Sequence, residues 1–547
     1  MLVANNVETE TLAHHGIVAA IINKLKLIEK IDETIPKKAH NYKLSHGQAV
    51  AAMILNGLGF VERRLYMVSS FFENKPTENL IGNGITPSLI NDDVLGRSLD
   101  AIFEYGPTKF FAEISFEVGL EFGFLSKSKY SHLDTSTISV TGNYTGQNDD
   151  NEVKVTYGHS KDHRPDLKQL TLSLSTTGPC SYPLWMEALS GNSSDKESFH
   201  RTIESVSRFQ AEIKDSPPFH WVADAAFYSQ KKLLKKGNDV LWISRVPENI
   251  TSAKNLLSKN AENYQWQEIG NGYSMSPHSS YYGGVDQRWI LIFSEEAYKR
   301  EMETFNSNLE REEIVVDKKI KKINNKIFLK KTEAEDEYKT LKEAHKFFTF
   351  IKKIVPIYKK IVGKTELGKT KKKISGYQLT ITSYKNISEI NKKKNTKGRF
   401  ILATNNTNEK ELKNENILKE YKDQSKTERG FRFIKDKSFS VGDMYLKNAD
   451  RLQALMCIMC LSLLVYNVGE FWIREKLKKE KITVPNQINK QILNPTLKWI
   501  FQTMKDIVIV KLKIQDKIQR IITNLTEDHR KILNCLGGEA LEIYGLA

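Results

Sequence analysis

The chain has 547 residues, 40% of them hydrophobic, which is enough for three or four domains of about 150 residues each around a buried core. That excludes a disordered chain and a miniprotein scaffold. Lysine and arginine number 82 against 66 aspartates and glutamates, a formal charge of +16, which favours a polyanionic partner, either nucleic acid or an acidic surface.

Four cysteines, Cys180, Cys457, Cys460 and Cys535, are too few for a disulfide framework and fit a reducing compartment. The opening MLVANNVETETLAHHG carries Glu8 and Glu10 and lacks a basic region followed by an apolar run, so it does not read as a signal peptide. The longest apolar stretch, 454–466, falls short of the roughly 20 residues that span a bilayer and reads as a buried helix. The expectation is a cytoplasmic protein without membrane association.

Residues 1–126 form a helical N-terminal domain in this reading, with apolar positions recurring at three and four in GIVAAIINKLKLIEKI and SHGQAVAAMILNGLGF, and Ser45 as an N-cap. Such helices either enter a DNA groove or simply build a core. From 127 the period becomes that of strands. SHLDTSTISVTG, EVKVTYG and LKQLTLSLSTTG predict an antiparallel meander, followed by a helix over about 195–214 and the strands FHWVADAA and DVLWISRV around a short helix, YSQKKLLKKG. Three strands, helix, strand, helix, strand is the order a ribonuclease H-like α/β sheet requires, and other mixed sheets share much of it.

Residues 250–405 read as an insertion in which strand-like pieces surround a long, helical, lysine-heavy block. Within 317–376 there are 19 lysines and 7 acids, so this block alone supplies +12 of the +16. A solvated helical pair is one explanation and phosphate contact the other. The core resumes over 406–465 with one long helix through ELKNENILKEYKDQSKTERGFRFIKD. A helical C-terminal region, 466–547, is broken near Pro485 and Pro495.

Three acids stand where chemistry is expected: Asp134 in HLDTSTIS, Asp224 in WVADAAFY and Glu428 in SKTERGF. Singly they read as an Asx turn, a helix N-cap and a partner of Arg432. In a ribonuclease H-like sheet the first and fourth strands are adjacent, so Asp134 and Asp224 sit side by side, and a later helix can bring Glu428 against them. Three crowded carboxylates repel unless hard cations neutralise them, which suits two Mg²⁺ ions, with Mn²⁺ as a substitute, and in-line displacement at a phosphodiester. Tyr421, Gln424, Glu428, Phe431 or Arg432, and Lys435 recur at three or four and are expected on one helix face.

That helix resembles the signature of the DDE insertion-sequence transposases, Tyr-x2-Arg-x3-Glu-x6-Lys. Here it reads Tyr421, Gln424, Glu428, Lys435, with all four spacings and three of four residue types kept and a charged clamp lost at Gln424. Lys426, Arg429 or Arg432 is the candidate replacement. The resemblance extends to GHSKDHRPDLKQL, VADAAFYS, ISRVP, RWILIFS and GRFILATN, so it spans roughly 127–465 and is similar to the IS-four superfamily, most closely its sixteen-thirty-four branch. The gap of 204 residues, 428 minus 224, fits that family's habit of inserting a domain before the last catalytic helix.

The resemblance implies a transposase. Asp134, Asp224 and Glu428 would hold the metal, and Tyr421, Gln424, Arg432, Lys435, Arg164 and Lys168 would contact DNA. The ends of the element would be cut and the freed 3′ hydroxyl joined to target DNA. Double-stranded DNA is then the partner, the C-terminal region serves a homodimer that holds two ends, and the protein works at the nucleoid of a prokaryote. The rival expectations are an inactive DNA-binding protein of the same fold and a ribonuclease H-like nuclease. Cys457 and Cys460 form a CxxC inside an apolar helix and are read as core cysteines; His132 is read as a supporting histidine. No role is assigned to Trp266 or Trp289.

Overall fold

The structure, a computed structural model, describes residues 6–36, 43–60, 67–126, 128–142, 144, 153–212, 219–364, 370–436, 448–514 and 517–547. It divides into two units: Met1–Ser244 with Leu418–Ala547, and Arg245–Ile417.

The first unit opens with strand β1 (Asn6–Thr11) and helices α1 (His15–Lys24), α2 (Leu27–Thr34), α3 (His46–Gly57), α4 (Val68–Phe72), α5 (Thr77–Leu80), α6 (Asp92–Tyr105) and α7 (Pro107–Glu121). Ser45 caps α3 in a reciprocal box: its hydroxyl accepts from the Gln48 amide at 3.0 Å while the Gln48 side chain accepts from the Ser45 amide at 2.9 Å. A mixed sheet follows, built from β2 (Tyr130–Val140), β3 (Lys168–Thr177), β4 (Tyr182–Ser190), β5 (His220–Ala223) and β6 (Trp242–Arg245), with α8 (Asp195–Glu212) and α9 (Gln230–Lys236) between them. Its order is β4-β3-β2-β5-β6; β2 to β4 are antiparallel, whereas β5 runs parallel to both β2 and β6.

The meander differs from the sequence reading in one strand. Residues 153–158 carry only an isolated bridge, Thr156 to Gln169, and Glu152 lies outside the described residues. Glycines explain this: a Cβ on Gly158 would lie 2.1 Å from the Gly191 carbonyl oxygen, and one on Gly191 would lie 2.0 Å from that of Gln169, so the two backbones nearly touch. The third strand is instead β4, entered through a turn at Gly178 and Ser181 with positive φ, and hidden in the sequence by Pro183. It is clamped to α7 by the Tyr182 hydroxyl, which donates to the Ser115 carbonyl at 2.7 Å, and by Ser115 Oγ donating to the Pro183 carbonyl at 2.6 Å.

The second unit contains α10 (Thr251–Ser258), the strands β7 (Gln267–Gly270), β8 (Tyr273–Tyr282) and β9 (Val285–Ser294), α11 (Glu295–Asn324), β10 (Ile327–Phe328), α12 (Lys331–Ala344), β11 (Phe348–Lys364), β12 (Thr370–Lys385), α13 (Ile387–Asn395) and β13 (Arg399–Thr404). One sheet has the order β13-β9-β8-β7 and a second has the order β10-β12-β11. The lysine-heavy block is therefore helical only in its first half. From Phe348 onward, isoleucine, valine, tyrosine and threonine turn it into a β-ribbon.

The chain then forms α14 (Asn414–Asp423), α15 (Ser425–Ile434), α16 (Ala449–Glu480), a short hairpin of β14 (Val484–Pro485) and β15 (Gln491–Ile492), α17 (Leu497–Thr503), β16 (Val508–Ile514), β17 (Lys517–Thr523), α18 (Glu527–Leu536) and α19 (Gly538–Ile543). The expected single helix over 411–436 is divided in two at Gln424, whose φ and ψ stay helical while its amide donates to the Tyr421 carbonyl at 3.2 Å, one residue short of the α-helical partner. The ends of the chain are not purely helical either. The alternating apolar and charged run VIVKLKI makes β16, which pairs antiparallel with β1 on one side and β17 on the other. Helix α16 is long and apolar enough by composition to cross a membrane, yet its stretch from Met456 to Val465 is buried inside the unit. Arg451 at its start forks onto Asp100 of α6 at 2.6 and 2.7 Å.

Gly191→Ala is expected to destabilise the first unit by about 2 kcal/mol or more, because the clash is with backbone that cannot turn away. Urea unfolding monitored by tryptophan fluorescence checks this, and an unchanged midpoint contradicts it.

Candidate active site

Strand β2 carries Asp134 on the face shared by its cross-strand neighbour Leu174, just as His132 shares a face with Thr176. Helix α15 covers that face. Thr427, fully buried, bonds through its hydroxyl to that of Thr176 at 2.6 Å, and Gly430 packs between Leu174 of the sheet and Leu463 of α16, to which a Cβ there would lie at 3.6 and 3.1 Å. On the opposite face, Ser173 meets Thr202 of α8. The parallel register of β2 and β5 pairs Tyr130 with His220 and His132 with Val222. Carried two residues further, it sets Asp134 level with Asp224, just past the end of β5. Asp224 is held there by the Ala226 amide donating to its Oδ1 at 2.8 Å and by Ser244 Oγ donating to its carbonyl at 2.8 Å.

The electrostatics report the same convergence. Burial raises the Asp134 carboxyl from 3.8 to about 6; Lys161 and a 2.8 Å bond from the Thr135 amide oppose the rise, and the charges of Asp224 and Glu428 add to it. Glu428 is exposed on α15, so the three acids combine a half-buried floor with a solvent-facing rim. Oxygen donors of this kind suit a hard divalent cation. No trio of histidine, cysteine, aspartate or glutamate among the described residues is drawn close enough to form a finished metal cage. His132 is 6% exposed, and burial lowers its pKa to about 4, so it faces Asp423 and Lys426 as a neutral imidazole whose Nδ1 has no hydrogen-bond partner.

The remaining expected site residues divide. Arg432 is exposed on the same helix as Glu428, and Lys435 at its end is ion-paired with Asp162 at 2.8 Å. Tyr421 is half-buried on α14. Gln424 is the exception: at the break between helices it is 6% exposed and turned inward, as is Phe431, so the signature does not lie along one exposed face. Arg164 is exposed but committed to Asp166, with bonds of 2.9 and 2.7 Å, and Lys168 is half-buried at the start of β3. In the second unit Trp289 is buried with its indole N–H on Gln287, and Trp266 donates to the Ala261 carbonyl. Cys457 and Cys460 are buried, and burial pushes both thiols up.

One residue escaped the sequence reading. Lys161 reaches β2, donating from Nζ to the Thr135 carbonyl at 2.7 Å and to its hydroxyl at 2.9 Å, while its amide donates to Thr137 Oγ1 at 3.0 Å. It is the cation that offsets the charge of Asp134. Its only signal was membership of the run GHSKDHRPDLKQL, since a contact across 26 residues leaves no periodicity.

A family model described as "Transposase DDE domain" matches residues 131–465. The chain belongs to the DDE transposase family. Residues 7–116 of the transposase match a second model, a domain of unknown function, DUF4277. No curated protein matches it. Among solved structures it is similar to a chain in the cryo-EM structure of the piggyBac transposase synaptic complex with hairpin DNA, at 8% identity over 85% of this chain and 78% of that one, with a TM-score of 0.33. Likeness at that level carries no argument about the fold or the site.

The raised pKa of Asp134 fixes a pH dependence. The folded state holds its proton more tightly than the unfolded state, so this group contributes nothing to unfolding free energy below about pH 3.8 and costs stability as pH rises through about 6. In EDTA, Asp134→Asn is therefore expected to be no more stable than the parent near pH 3.5 and up to about 3 kcal/mol more stable at pH 8. Lys161→Met is expected to shift the other way, losing most at pH 8. Urea titrations across pH check both, and differences independent of pH contradict them.

Proposed function

We propose that the protein is the transposase of an insertion sequence, cutting DNA at the ends of its element and joining the freed ends to target DNA. The observation that carries this reading is the electrostatic meeting of Asp134, Asp224 and Glu428 on one face of the sheet under α15. In this reading β2 to β6 with α15 form a ribonuclease H-like core, and the likeness of the signature helix supports the IS-four superfamily, nearest its sixteen-thirty-four branch. The helical regions at either end support DNA binding and pairing of two protomers in a homodimer.

The three carboxylates would hold two Mg²⁺ or Mn²⁺ ions, which when bound supply Lewis acidity at the attacking and leaving oxygens of a phosphodiester. The chain's own residues do the rest. Asp134 and Asp224 are fixed by backbone amides, so their oxygens need little reorganisation to act as ligands. Lys161 favours the ionised form of Asp134 against the larger effect of its burial. Arg432, exposed beside Glu428, and Lys435, one exchange away from its bond to Asp162, are placed to take phosphates of the bound strand, with Tyr421, Arg164 and Lys168 at the margin. Gln424 is buried between α14 and α15, which leaves the charged clamp to Arg432.

Asp224→Asn, a neutral isostere, is expected to retain binding to element ends within about twofold and to lose nicking in Mg²⁺ by at least about 10³-fold. Gel-shift and single-turnover cleavage on an end-containing duplex measure the two separately. Cleavage undiminished by the substitution overturns the assignment, and binding by the parent protein without any cleavage favours an inactive DNA-binding protein.

A further inference from the structure

The lysine-rich ribbon of the second unit has two parts. At its base, Phe348, Phe350, Leu379 and Ile381 are buried against α11 and α12 in a core with Val316, Ile320 and Leu341. Strand β10 adds a third strand there, but only opposite Tyr377 and Gln378. Beyond Ile357 the two strands pair with each other alone. This arm of 358–364 and 370–375 extends about 20 Å at roughly 3.3 Å per residue.

Its composition is one-sided. Within the arm β11 contributes three lysines, β12 contributes three, and neither segment contains an aspartate or glutamate. Register makes the imbalance acute: Lys359 stands directly opposite Lys373, and Lys360 opposite Lys372. Consecutive residues point to opposite faces, so one like-charged pair lies on each face of the arm. None of the four has an ion-pair partner among the described residues. Like charges directly opposite destabilise a strand pair, and an isolated two-stranded hairpin is marginal in water even without them. Between the lysines lie exposed apolar side chains: Tyr358 at 56%, Ile374 at 44% and Val362 fully exposed.

A basic surface that lies flat on one polyanion needs charge on one face only. Positive pairs on both faces of a thin ribbon fit a partner with a negatively charged wall on each side. We infer that this arm enters the major groove of duplex DNA, whose width of about 12 Å admits a two-stranded β-ribbon between its two phosphate backbones. There Lys359 and Lys373 face one backbone and Lys360 and Lys372 face the other, with Tyr358 and Ile374 beside the second pair on its own face. This deepens the DNA-acting reading above by giving the second unit a duplex contact of its own, outside the three carboxylates.

The test uses the full chain and a random-sequence duplex of about 40 base pairs, with binding followed by fluorescence anisotropy as salt is varied. Lys359→Gln with Lys373→Gln, and separately Lys360→Gln with Lys372→Gln, are each expected to reduce the slope of log K against log salt by about 1.8, at about 0.9 per phosphate contact, and the fourfold variant by about 3.6. Lys→Arg at the same positions restores it. Because the pairs repel, the variants keep the parent's thermal midpoint or exceed it, which separates lost contact from lost fold. Methyl green, a major-groove ligand, competes with the parent arm, and a minor-groove ligand does not.

A slope change in only one pair means the arm lies on a single backbone and overturns groove entry. No change in either pair removes DNA from the arm altogether, as does a loss confined to binding of vesicles rich in anionic lipid. Cutting plays no part in these readouts. Failure of cleavage with the slope changes intact sinks the proposed function alone, and normal cleavage with unchanged slopes sinks the arm alone.

Discussion

Burying a carboxylate within reach of two others is a destabilising arrangement, and the first unit is organised to sustain it. Asp134 sits on a central strand with Asp224 level on the next, and α15 brings Glu428 over the same face. The acids are separated by 90 and 204 residues, 224 minus 134 and 428 minus 224, so only the tertiary structure can impose this proximity. What imposes it is modest in kind: a buried hydroxyl pair, Thr176 with Thr427, and a glycine at position 430, where a Cβ would press on Leu463 of α16 at 3.1 Å. Two backbone amides and one lysine supply the local compensation. Unfavourable charge held in place by favourable packing is what distinguishes a site from a surface.

Much of this was legible in the sequence for a physical reason. The strands SHLDTSTISV and FHWVADAA announce themselves through β-branched residues, and α8 through its apolar period, because local propensity and burial agree there. Asp134, Asp224 and Glu428 could be named as candidates because metal-assisted phosphodiester chemistry calls for carboxylates on adjacent strands and on a later helix. The illegible parts are those where long-range contact overrides local pattern. EVKVTYG reads as a strand, but two glycines press its backbone across the chain at Gly191. Strand β4 is masked by its proline, and the break at Gln424 by a flanking sequence that is helical on both sides. Lys161 was invisible because its role lies in what it touches.

The second unit shows a different division. Alternating charges in α11 and α12 give the solvated helices that the composition suggested, with pairs such as Lys326–Glu337 and Lys385–Glu313 bracing the base of the ribbon. The acids run out where the helices end, and the lysines continue alone into β11 and β12. A single tally of charge over the block conceals this change, because the neutralised half and the uncompensated half differ in secondary structure as well as sign.

The pairing of β1 with β16 joins residues 6–11 to residues 508–513. A ribosome delivers these two strands roughly 500 residues apart, so the sheet they form cannot close until β16 has emerged. Until then the first strand waits as an open edge, and the body that carries the acids stays incomplete. Premature termination upstream of Val508 leaves that edge bare, and quality control then meets an exposed β-strand in place of a nearly finished enzyme.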